Sequence, residues 1–520
     1  MPQTTSGNEL EFNMARIRRE AIRHIYSVED AREIDCKAIE ELGIAGILLM
    51  KRAGRSALEA LEEMWSGAKT IEVFCGSGNN AGDGYILAGL AADQGFQVTV
   101  WELKEPDQLS GDAALAREFA VQTSATLQSY ENYAPTAVTD VLVDALLGTG
   151  FRGSLRESAA TAIAEINRRN LPVLSLDAPS GLDADSGWVT EFAVHADLTI
   201  SFIVLKKGLL TGLAGDYVGN LVLDDLDVGN KINDAVKAPV ELMGELDLLP
   251  LRNRRPRSAH KGDFGTALVI GGDLGYGGAA IMAAETALIS GAGRVVLATR
   301  SQHVSAALSR CPEIMARGIE RPNDIKSLLQ GASALVIGPG LGNSSWSRQL
   351  LHFSIEADLP TVLDADALNL LAEGDTAASS LHSKCLLTPH PGEAARLLQV
   401  STEEIQRDRF EALRKLQNRY AGTFVLKGAG TLVGAGGGVP GLCDLGNPGM
   451  ATAGVGDVLS GLCGALLARG YSTDIAARAA VLAHSAAADR CAKLAGEIGL
   501  KATDLLDPIR DVLNGEQLRA

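Results

Sequence analysis

The sequence is poor in aromatic residues, and its basic residues are outnumbered by acidic ones. Phe, Trp and Tyr make up only 4% of the 520 residues, and the formal net charge is −17. An acidic chain has no general electrostatic attraction for nucleic acid or for an anionic membrane surface, so we expect neither as a partner. An anionic small molecule would need local donors, such as backbone amides or individually placed Lys and Arg side chains.

The sequence also has no cysteine motifs and no long apolar runs, and we expect no secretory signal. The seven cysteines are scattered without CxxC or Cys/His spacing, which is typical of reduced thiols and not of a zinc site or a disulfide framework. The basic stretch MARIRREAIRHIYS lacks the apolar region of a secretory signal. Because no run of about 18 uncharged apolar residues predicts a membrane span, we expect a cytoplasmic protein.

The length and pattern of the chain predict two α/β domains. A chain of 520 residues is too long for one ordinary core. Short apolar runs that end in Gly or Asp alternate with helical patterns, which predicts parallel, doubly wound sheets with ligands at the carboxyl ends of the strands. We expect a Rossmann-like domain over residues 1–232, a linker rich in proline and arginine over 233–258, and a second α/β domain over 259–520.

A glycine-rich run near the C-terminus, GNPGMATAGVGDVLSG, places Asp457 at the start of an expected helix. Gly454 and Gly456 can adopt backbone conformations closed to other residues, so that N–H groups converge with the positive end of the helix into an anion cradle. In such a cradle Asp457 could accept a hydroxyl proton while the amides hold a phosphoryl group. Taken alone, the pattern favours a plain glycine turn with Asp457 as the helix N-cap.

Further motifs of the C-terminal half also follow expected strands. LKGAGT places Lys427 and a glycine turn after a strand, a natural contact for the phosphates of an adenine nucleotide. LDADALN places Asp364 and Asp366 at another strand end, and TPHPGE fixes His390 between prolines. VIGPGLG brings backbone close to a ligand, and SAHKGDFG supplies His260 ahead of the first strand of this half.

In this order, HKG, GG…GGA, GPGLG, DADALN, TPHPGE, KGAGT and GMATAGVGD resemble the ADP/ATP-dependent NAD(P)HX dehydratases, a branch of the ribokinase-like superfamily. The resemblance covers residues 250–512 and implies a ribokinase-like domain that uses Mg²⁺ with ADP or ATP. It implies substrate contacts at Ala279, Gly342, His390 and Asp457, and nucleotide contacts at Lys427, Gly428, Ala429, Gly430, Thr431 and Gly456.

The same resemblance implies kinase chemistry that ends in dehydration. The hydroxyl added to the nicotinamide ring would be phosphorylated with Asp457 as the base, while the amide cradle stabilises the developing charge. Phosphate would then leave and restore the dihydropyridine ring.

The N-terminal half has its own glycine-rich run, CGSGNNAGDG at residues 75–84. The run is similar to many phosphate loops, but a plain phosphate cradle does not need the side chains of an Asn-Asn pair and Asp83. Asn80, Asp144 and Ser180 could supply oxygens to a monovalent cation, because hard cations take carboxylate, amide and carbonyl ligands and few carboxylates suit a single charge. For Asp144 alone, a cap on the following turn explains the residue equally well.

Together, LLMKRAG, GSGNNAGDG, DALLGTGFRG and DAPSGLDADSG resemble the NAD(P)HX epimerases over residues 27–232. The resemblance implies potassium at Asn80, Asp144 and Ser180, and Asp177 as the acid/base while C6 of the hydrated ring changes configuration. It implies substrate contacts at Asn79, Asn80, Ala81, Gly82, Asp83, Gly148, Thr149, Gly150, Phe151, Arg152, Gly153, Ser154 and Asp177. The family usually has glycine at position 81, and a positive φ there would strain Ala81 by about 1 kcal/mol.

The two resemblances predict one chain that epimerises R- and S-NADHX and NADPHX and dehydrates the S epimers with ADP, assembled as a homo-oligomer. A small-molecule kinase fused to a non-catalytic nucleotide-binding module would share Asp457 and the nucleotide contacts, and a stable phosphorylated product would distinguish it. A dinucleotide-dependent dehydrogenase is disfavoured, because the glycine spacing differs from its fingerprint and no acid follows about 20 residues later at the next strand end.

Overall fold

The computed structural model describes residues 22–104, 108–135, 138–228, 235–374 and 381–519. The chain divides into two compact units, the first ending at Val240 and the second beginning at Glu241. Each unit is a layered α/β structure with a largely parallel sheet, which confirms the predicted fold class. None of the described helices combines the length and apolar character that a bilayer crossing requires.

The first unit has eight strands, seven of which form one parallel sheet. Its strands are β1 (His24–Ile25), β2 (Thr70–Cys75), β3 (Gln97–Glu102), β4 (Thr126–Ser129), β5 (Val141–Ala145), β6 (Val173–Leu176), β7 (Leu198–Phe202) and β8 (Asn220–Asp224). Strands β2 to β8 lie in the order β4-β3-β2-β5-β6-β7-β8, so the direction in which the chain adds strands reverses between β2 and β5. The carboxyl ends of these two strands form the crevice where such sheets bind ligands.

The helices of the first unit pack closely on this sheet. They are Val28–Glu40, Gly46–Met64, Asn79–Asp93, Gly111–Val121 and Glu157–Arg168. The first begins at a reciprocal capping box between Ser27 and Asp30. The third begins at Asn79, so the predicted glycine loop already forms its first turns. A Cβ on Gly84 of this helix would lie 2.6 Å from the Ala145 Cβ atom of β5, so glycine permits the close approach.

The second unit has a longer sheet that is parallel except near one edge. Its strands are β9 (Val240–Leu242), β10 (Thr266–Ile270), β11 (Arg294–Thr299), β12 (Met315–Gly318), β13 (Ala334–Ile337), β14 (Thr361–Leu363), β15 (Cys385–Leu387), β16 (Thr423–Leu426), β17 (Thr431–Gly434) and β18 (Gly441–Cys443). They lie in the order β9-β18-β17-β16-β15-β14-β13-β10-β11-β12. Strand β17 runs antiparallel to both of its neighbours, and the strand order reverses between β10 and β13.

The helix Val455–Ala468 of the second unit lies against the middle of the sheet and against the helix Gly277–Ile289. The helices are Glu245–Leu248, Gly277–Ile289, Val304–Arg310, Ile325–Leu329, Ser345–Glu356, Asp366–Ala372, Pro391–Leu398, Thr402–Arg407, Arg409–Arg419, Val455–Ala468, Thr473–Ala495 and Leu506–Leu513. Val455–Ala468 is buried over most of its length. A Cβ on Gly461 would lie 2.1 Å from the carbonyl oxygen of Ala283, and one on Gly464 would lie 2.1 Å from Val336 Cγ2.

The predicted linker, residues 233–258, is largely built into the second unit. Positions 233 and 234 lie outside the described residues. Strand β9 pairs in parallel with β18 at the sheet edge. The arginine-rich stretch that follows is anchored rather than free, because the Arg255 guanidinium lies 3.8 Å from the Phe264 ring centroid and donates a 2.9 Å hydrogen bond to the Gly291 carbonyl.

We predict that Gly461→Ala lowers the unfolding free energy of the second unit by about 1–3 kcal/mol. The added methyl group would meet the Ala283 backbone, which cannot move aside as a flexible side chain can. Urea titration with hydrogen-exchange readout on peptides of residues 455–468 measures the loss.

Gly278→Ala is the matched control, because position 278 lies in the helix Gly277–Ile289 and a Cβ there meets no atom within 4 Å. Its helix propensity gain of up to about 1 kcal/mol should leave stability equal or higher. Equal urea midpoints for the two variants would contradict the close-packing explanation.

Candidate active sites

A cleft of about 660 Å³ lies at the carboxyl edge of the first sheet, where the strand order reverses. Most predicted contacts of this unit line it: Asn79, Asn80, Asp83, Gly148, Thr149, Gly150, Phe151, Arg152, Ser154 and Asp177. Three predicted contacts do not line it. Ala81 is fully buried, Gly82 packs against Met50, and Gly153 is exposed with φ of +84°.

Asp177 follows β6 and projects into the cleft from a strained backbone, with φ of +62°. Its Oδ1 atom accepts a 2.5 Å hydrogen bond from Lys206 Nζ, and its Oδ2 atom accepts a 3.0 Å bond from Thr149 Oγ1. The carboxylate is therefore held in one orientation, with its two oxygens tied to different elements.

Lys206 is a site residue that sequence reasoning missed. Its ammonium group donates to Asp177, to the Phe202 carbonyl at 2.9 Å and to Ser201 Oγ at 3.2 Å, and the side chain is 4% exposed. Three donors matched by three acceptors hold the charge in place. The signal in the sequence was a pair of lysines directly after the apolar run LTISFIVL.

Of the further carboxyl groups that line the same cleft, those of Asp35 and Asp83 interact with the charges of Asp177 and Lys206. Asp35 comes from the helix Val28–Glu40 and Asp83 from the helix Asn79–Asp93. Burial raises the pKa of both groups, that of Asp83 strongly, and the nearby charge of Asp177 raises both further, while Lys206 opposes the rise. The cleft thus brings three carboxyl groups under the influence of one ammonium group.

The residues predicted to hold a cation lie beside this cleft. Asp144 is fully buried and accepts from Ser180 Oγ at 2.6 Å, from the Ser180 amide at 2.8 Å and from Ser175 Oγ at 2.9 Å. It also accepts from the Leu146 amide at 3.2 Å, as a turn cap would. The buried side-chain oxygen and nitrogen of Asn80 have no hydrogen-bond partner among the described residues.

The unusual residue at position 81 carries no strain. Ala81 lies inside the helix Asn79–Asp93 and does not have a positive φ. The expectation that alanine could weaken the site through backbone strain is therefore wrong. Arg152, another predicted contact, already pairs with Asp185 and, at 3.3 Å, with Asp183.

In the second unit a buried ion pair lies at the carboxyl ends of β14 and β16. Asp364 Oδ1 accepts from Lys427 Nζ at 2.8 Å and from Thr388 Oγ1 at 2.8 Å, while Oδ2 accepts from Ser460 Oγ at 2.6 Å. These partners outweigh burial and keep the pKa of the Asp364 carboxyl below its usual value. Thr388 and Ser460 were not predicted, because their role depends on which strand and helix ends meet.

Asp457 lies close to this ion pair, in the first turn of the helix Val455–Ala468. Gly454 is the N-cap, with φ of +93°, so the interpretation of Asp457 as the N-cap is wrong. Gly456 is helical and does not use its backbone freedom. A Cβ there would lie 3.3 Å from Lys427 Nζ, so glycine instead keeps the helix end open to the lysine.

The environment of Asp457 favours a carboxyl group that titrates near neutrality. Burial, followed by the charge of Asp364, raises its pKa to about 7, and the smaller effects of Asp366 and Glu393 act in the same direction. Lys427 opposes this rise. A group with this pKa can accept a proton at neutral pH and is still basic enough to be useful.

The predicted substrate loops of this unit meet one another at the same edge. The Gly342 amide donates a 2.8 Å hydrogen bond to Asp366 Oδ2. A Cβ on Gly340 would lie 3.3 Å from Ala279 Cβ, which places the two predicted loops side by side. His390 caps the helix Pro391–Leu398 and its Nδ1 atom accepts from the Gly392 amide at 3.0 Å.

His390 therefore has an unprotonated Nδ1 atom. Burial and then the positive charges of Lys427 and Arg396 lower its pKa. A neutral imidazole with a half-exposed ring can hydrogen-bond a ligand without adding charge.

The predicted nucleotide turn, residues 427–431, joins β16 to β17. Gly428 and Gly430 have φ of +136° and +64°, conformations that favour glycine. The fully buried Arg409 donates to the carbonyls of Leu426 at 3.0 Å and Lys427 at 3.2 Å, and so braces the turn from behind. Sequence reasoning missed this arginine, which follows no strand and sits in a charged helix pattern.

One expected site residue lies elsewhere. His260 is exposed, and the Lys261 carbonyl beside it packs against Gly293, immediately before β11. It therefore lies at the amino ends of the strands, the edge opposite to Asp457. No cluster of three or more His, Cys, Asp or Glu side chains suited to a metal ion occurs among the described residues.

Two family profiles match the chain, one in each unit. The profile described as YjeF-related protein N-terminus matches residues 46–208, and the profile described as NAD(P)H-hydrate dehydratase matches residues 267–511. Their matched ranges contain Asp177 and Asp457 respectively.

Close relatives extend over nearly the whole chain. The bifunctional NAD(P)H-hydrate repair enzyme of Coxiella burnetii is 45% identical over 94% of this chain and 99% of its own length. The enzyme with the same description from Escherichia coli is 41% identical, over 95% of this chain and 94% of its own length.

Among solved structures, the ADP/ATP-dependent NAD(P)H-hydrate dehydratase of Bacillus subtilis, co-crystallised with ATP and Mg²⁺, is 28% identical with a TM-score of 0.46. It covers 52% of this chain and 97% of the bacterial chain. From the whole-length identities, the chain belongs to the family of bifunctional NAD(P)H-hydrate repair enzymes.

Proposed function

We propose that the chain repairs hydrated NADH and NADPH by two reactions in its two halves. Residues 1–232 interconvert the R and S epimers, and residues 259–520 dehydrate the S epimer with ADP, releasing AMP and phosphate. The observation that supports this best is that each unit has its own carboxylate–lysine site, Asp177 with Lys206 and Asp364 with Lys427, at the carboxyl edge of its sheet.

In the dehydration, the oxygen of the ring hydroxyl attacks the terminal phosphorus of the nucleotide. Asp457 accepts the proton that this hydroxyl loses. The Lys427 ammonium and the backbone amides at the helix end offset the charge that develops on the phosphoryl oxygens. Phosphate then leaves the carbon that carried the hydroxyl, a proton leaves the neighbouring carbon, and the ring double bond returns. Ala279, Gly342 and His390 would contact the hydrated ring, and residues 427–431 with Gly456 would contact the nucleotide.

Magnesium fits this site as an ion that arrives with the nucleotide. Asp364, Glu393 and Asp457 carry more negative charge than Lys427 balances, and a phosphate chain would add to the excess. Mg²⁺ usually takes one or two carboxylates and completes its shell with phosphates and water. Glu393 is the carboxylate we propose for it, and the ion would neutralise phosphate charge.

In the epimerisation, Asp177 acts as acid and base at the ring hydroxyl while C6 loses and regains its configuration. Thr149 and Lys206 hold its carboxylate towards the cleft, and Asn79 to Asp83 with Gly148 to Ser154 would surround the substrate. Ala81, Gly82 and Gly153 do not line the cleft, so we propose that they contribute through the backbone and packing of these segments.

Potassium fits the residues beside the cleft. Asn80 offers a buried amide without a partner, next to the Asp144 carboxylate and the Ser180 hydroxyl. One carboxylate among neutral oxygens suits a single positive charge. The ion would link the helix Asn79–Asp93, strand β5 and the loop after β6, which carry these residues.

We make three further proposals, on the cellular location, the partners and the assembly of the protein. All seven cysteines are free thiols, which supports a cytoplasmic location. The partners are NADHX, NADPHX and ADP, and neither nucleic acid nor a membrane is expected for a chain with a net charge of −17. A homo-oligomer stays a prediction.

We predict that Asp457→Asn lowers kcat for dehydration of S-NADHX by a factor of at least about 10². The amide keeps the shape of the side chain but cannot accept the hydroxyl proton. Return of reduced-nicotinamide absorbance after addition of ADP measures the rate, and calorimetric titration with ADP should show binding within about threefold of the parent.

Turnover of Asp457→Asn close to the parent rate would refute the base assignment. A stable phosphorylated product, with no recovery of reduced nicotinamide, would instead favour a small-molecule kinase.

The pKa of about 7 at Asp457 predicts a pH dependence for dehydration. Because the base must be ionised, kcat/KM should fall about tenfold per pH unit below that value and level off above it. Asp366→Asn removes a negative neighbour, which lowers the pKa of Asp457 and moves the midpoint to lower pH. A midpoint that stays in place, or moves up, would contradict the electrostatic explanation.

We predict that Asp177→Ala loses epimerisation but keeps dehydration. With ADP and a mixture of epimers, the variant should consume the S epimer at the parent rate and leave the R epimer, as followed by chromatography. Clearance of both epimers at the parent rate would show that Asp177 has no such role.

A further inference from the structure

Asp83 occupies an unusual position in the cleft of the first unit. Its carboxyl group makes no hydrogen bond or ion pair with any other residue that the structure describes, although it is removed from bulk water. Part of its surface opens into the cleft. The residue is half-buried, and its surroundings raise the pKa of its carboxyl group, so a protonated form is favoured over an unpartnered carboxylate.

Asp177, in contrast, has a donor for each of its oxygens. Lys206 Nζ donates to Oδ1 and forms an ion pair with the carboxylate, and Thr149 Oγ1 donates to Oδ2. Lys206 Nζ donates hydrogen bonds to Asp177, to the Phe202 carbonyl and to Ser201 Oγ, which fix the ammonium group. Asp177 is the one carboxylate among these three acceptors.

The two carboxyl groups also come from different elements. Asp83 lies in the helix that follows β2, and Asp177 lies in the loop that follows β6. Both line the same cavity of about 660 Å³, which is large enough to hold a ring. Two carboxyl groups in unlike environments are the arrangement by which proteins divide acid and base roles.

We propose that Asp83 is the general acid of the epimerase reaction and that Asp177, fixed by Lys206, is its basic counterpart. This rests on the proposed function of the first unit. It transfers the proton-donating part of the role that we proposed for Asp177 to Asp83, leaves Asp177 as the base, and makes Lys206 a positioning residue.

Epimerisation proceeds by loss of water from C6 and addition of water to C6. Asp83 gives its proton to the C6 hydroxyl, the C6–O bond breaks with its electron pair leaving on water, and the N1 lone pair forms an N1=C6 double bond. Water then adds to the other face of C6, the N1=C6 pair returns to N1, and Asp177 takes the released proton. Exchange with solvent restores the proton on Asp83 and removes the one on Asp177.

The test uses the full chain without ADP, so that dehydration does not run, and the R epimer of NADHX isolated by chromatography. For Asp83→Asn we expect kcat for epimerisation to fall by a factor of at least about 10², with KM within about threefold of the parent. In H₂¹⁸O, enzyme-dependent ¹⁸O incorporation at C6 should fall by the same factor. A retained KM reports an intact cleft.

Asp35→Asn is the matched variant, the same carboxyl-to-amide change in the same cleft. Its kcat should exceed that of Asp83→Asn by at least about tenfold. The proposal is overturned if Asp35→Asn is the slower variant, if Asp83→Asn raises KM while kcat is unchanged, or if the parent epimerises without ¹⁸O incorporation.

The kcat values of two Lys206 variants test whether this residue positions Asp177. Lys206→Met should lower kcat, and Lys206→Arg, which keeps the charge, should restore part of it. Equal kcat values for both would overturn that part.

The outcomes also separate this proposal from the function on which it depends. If Asp177→Ala is inactive and Asp83→Asn is active, only the acid assignment fails. If the unchanged chain does not epimerise the R epimer, the proposed function fails first.

Discussion

In each unit a single buried ammonium group is surrounded by more carboxyl groups than it can neutralise. Lys206 is shared by Asp35, Asp83 and Asp177, and in the second unit Lys427 lies among Asp364, Glu393 and Asp457. In both sites the lysine donates a hydrogen bond to one carboxylate, and the other carboxyl groups have raised pKa values. Placing several acids around one lysine therefore raises the pKa of the carboxyl groups that do not receive its hydrogen bond, and that of Asp457 to about 7.

The glycine-rich runs serve these crowded sites mainly by leaving space. Gly456 is helical, and its missing side chain leaves room for Lys427, while Gly84 lets its helix approach β5. Gly454 and Gly428 do use conformations with positive φ, at a helix start and in a turn. Space and backbone freedom are thus separate uses of the same residue, and a motif alone does not show which one applies.

Much of the fold and part of each site could be predicted from the sequence, because strand-end acids and glycine turns are local signals. Asp177, Asp364 and Lys427 directly follow β6, β14 and β16, and Asp144 is the second-last residue of β5. The partners that orient them could not be predicted, since Ser460 and Arg409 lie on helices whose approach depends on the whole sheet. Ala81 shows the converse, a departure from the family pattern that is harmless because the position is helical.

The two proposed reactions need opposite proton chemistry at the same hydroxyl, and the two sites differ accordingly. Hydroxide is a poor leaving group, so an epimerase that has no nucleotide must protonate the oxygen, which calls for a neutral carboxyl group such as an unpartnered Asp83. The dehydratase instead phosphorylates the oxygen, so that phosphate becomes the leaving group, and this step requires a base. Lys427 limits the rise in the pKa of Asp457. The lysine of the first unit donates its hydrogen bond to Asp177 and not to Asp83, and burial raises the pKa of Asp83. The position of one ammonium group relative to its carboxyl neighbours therefore decides which of the two chemistries a site can perform.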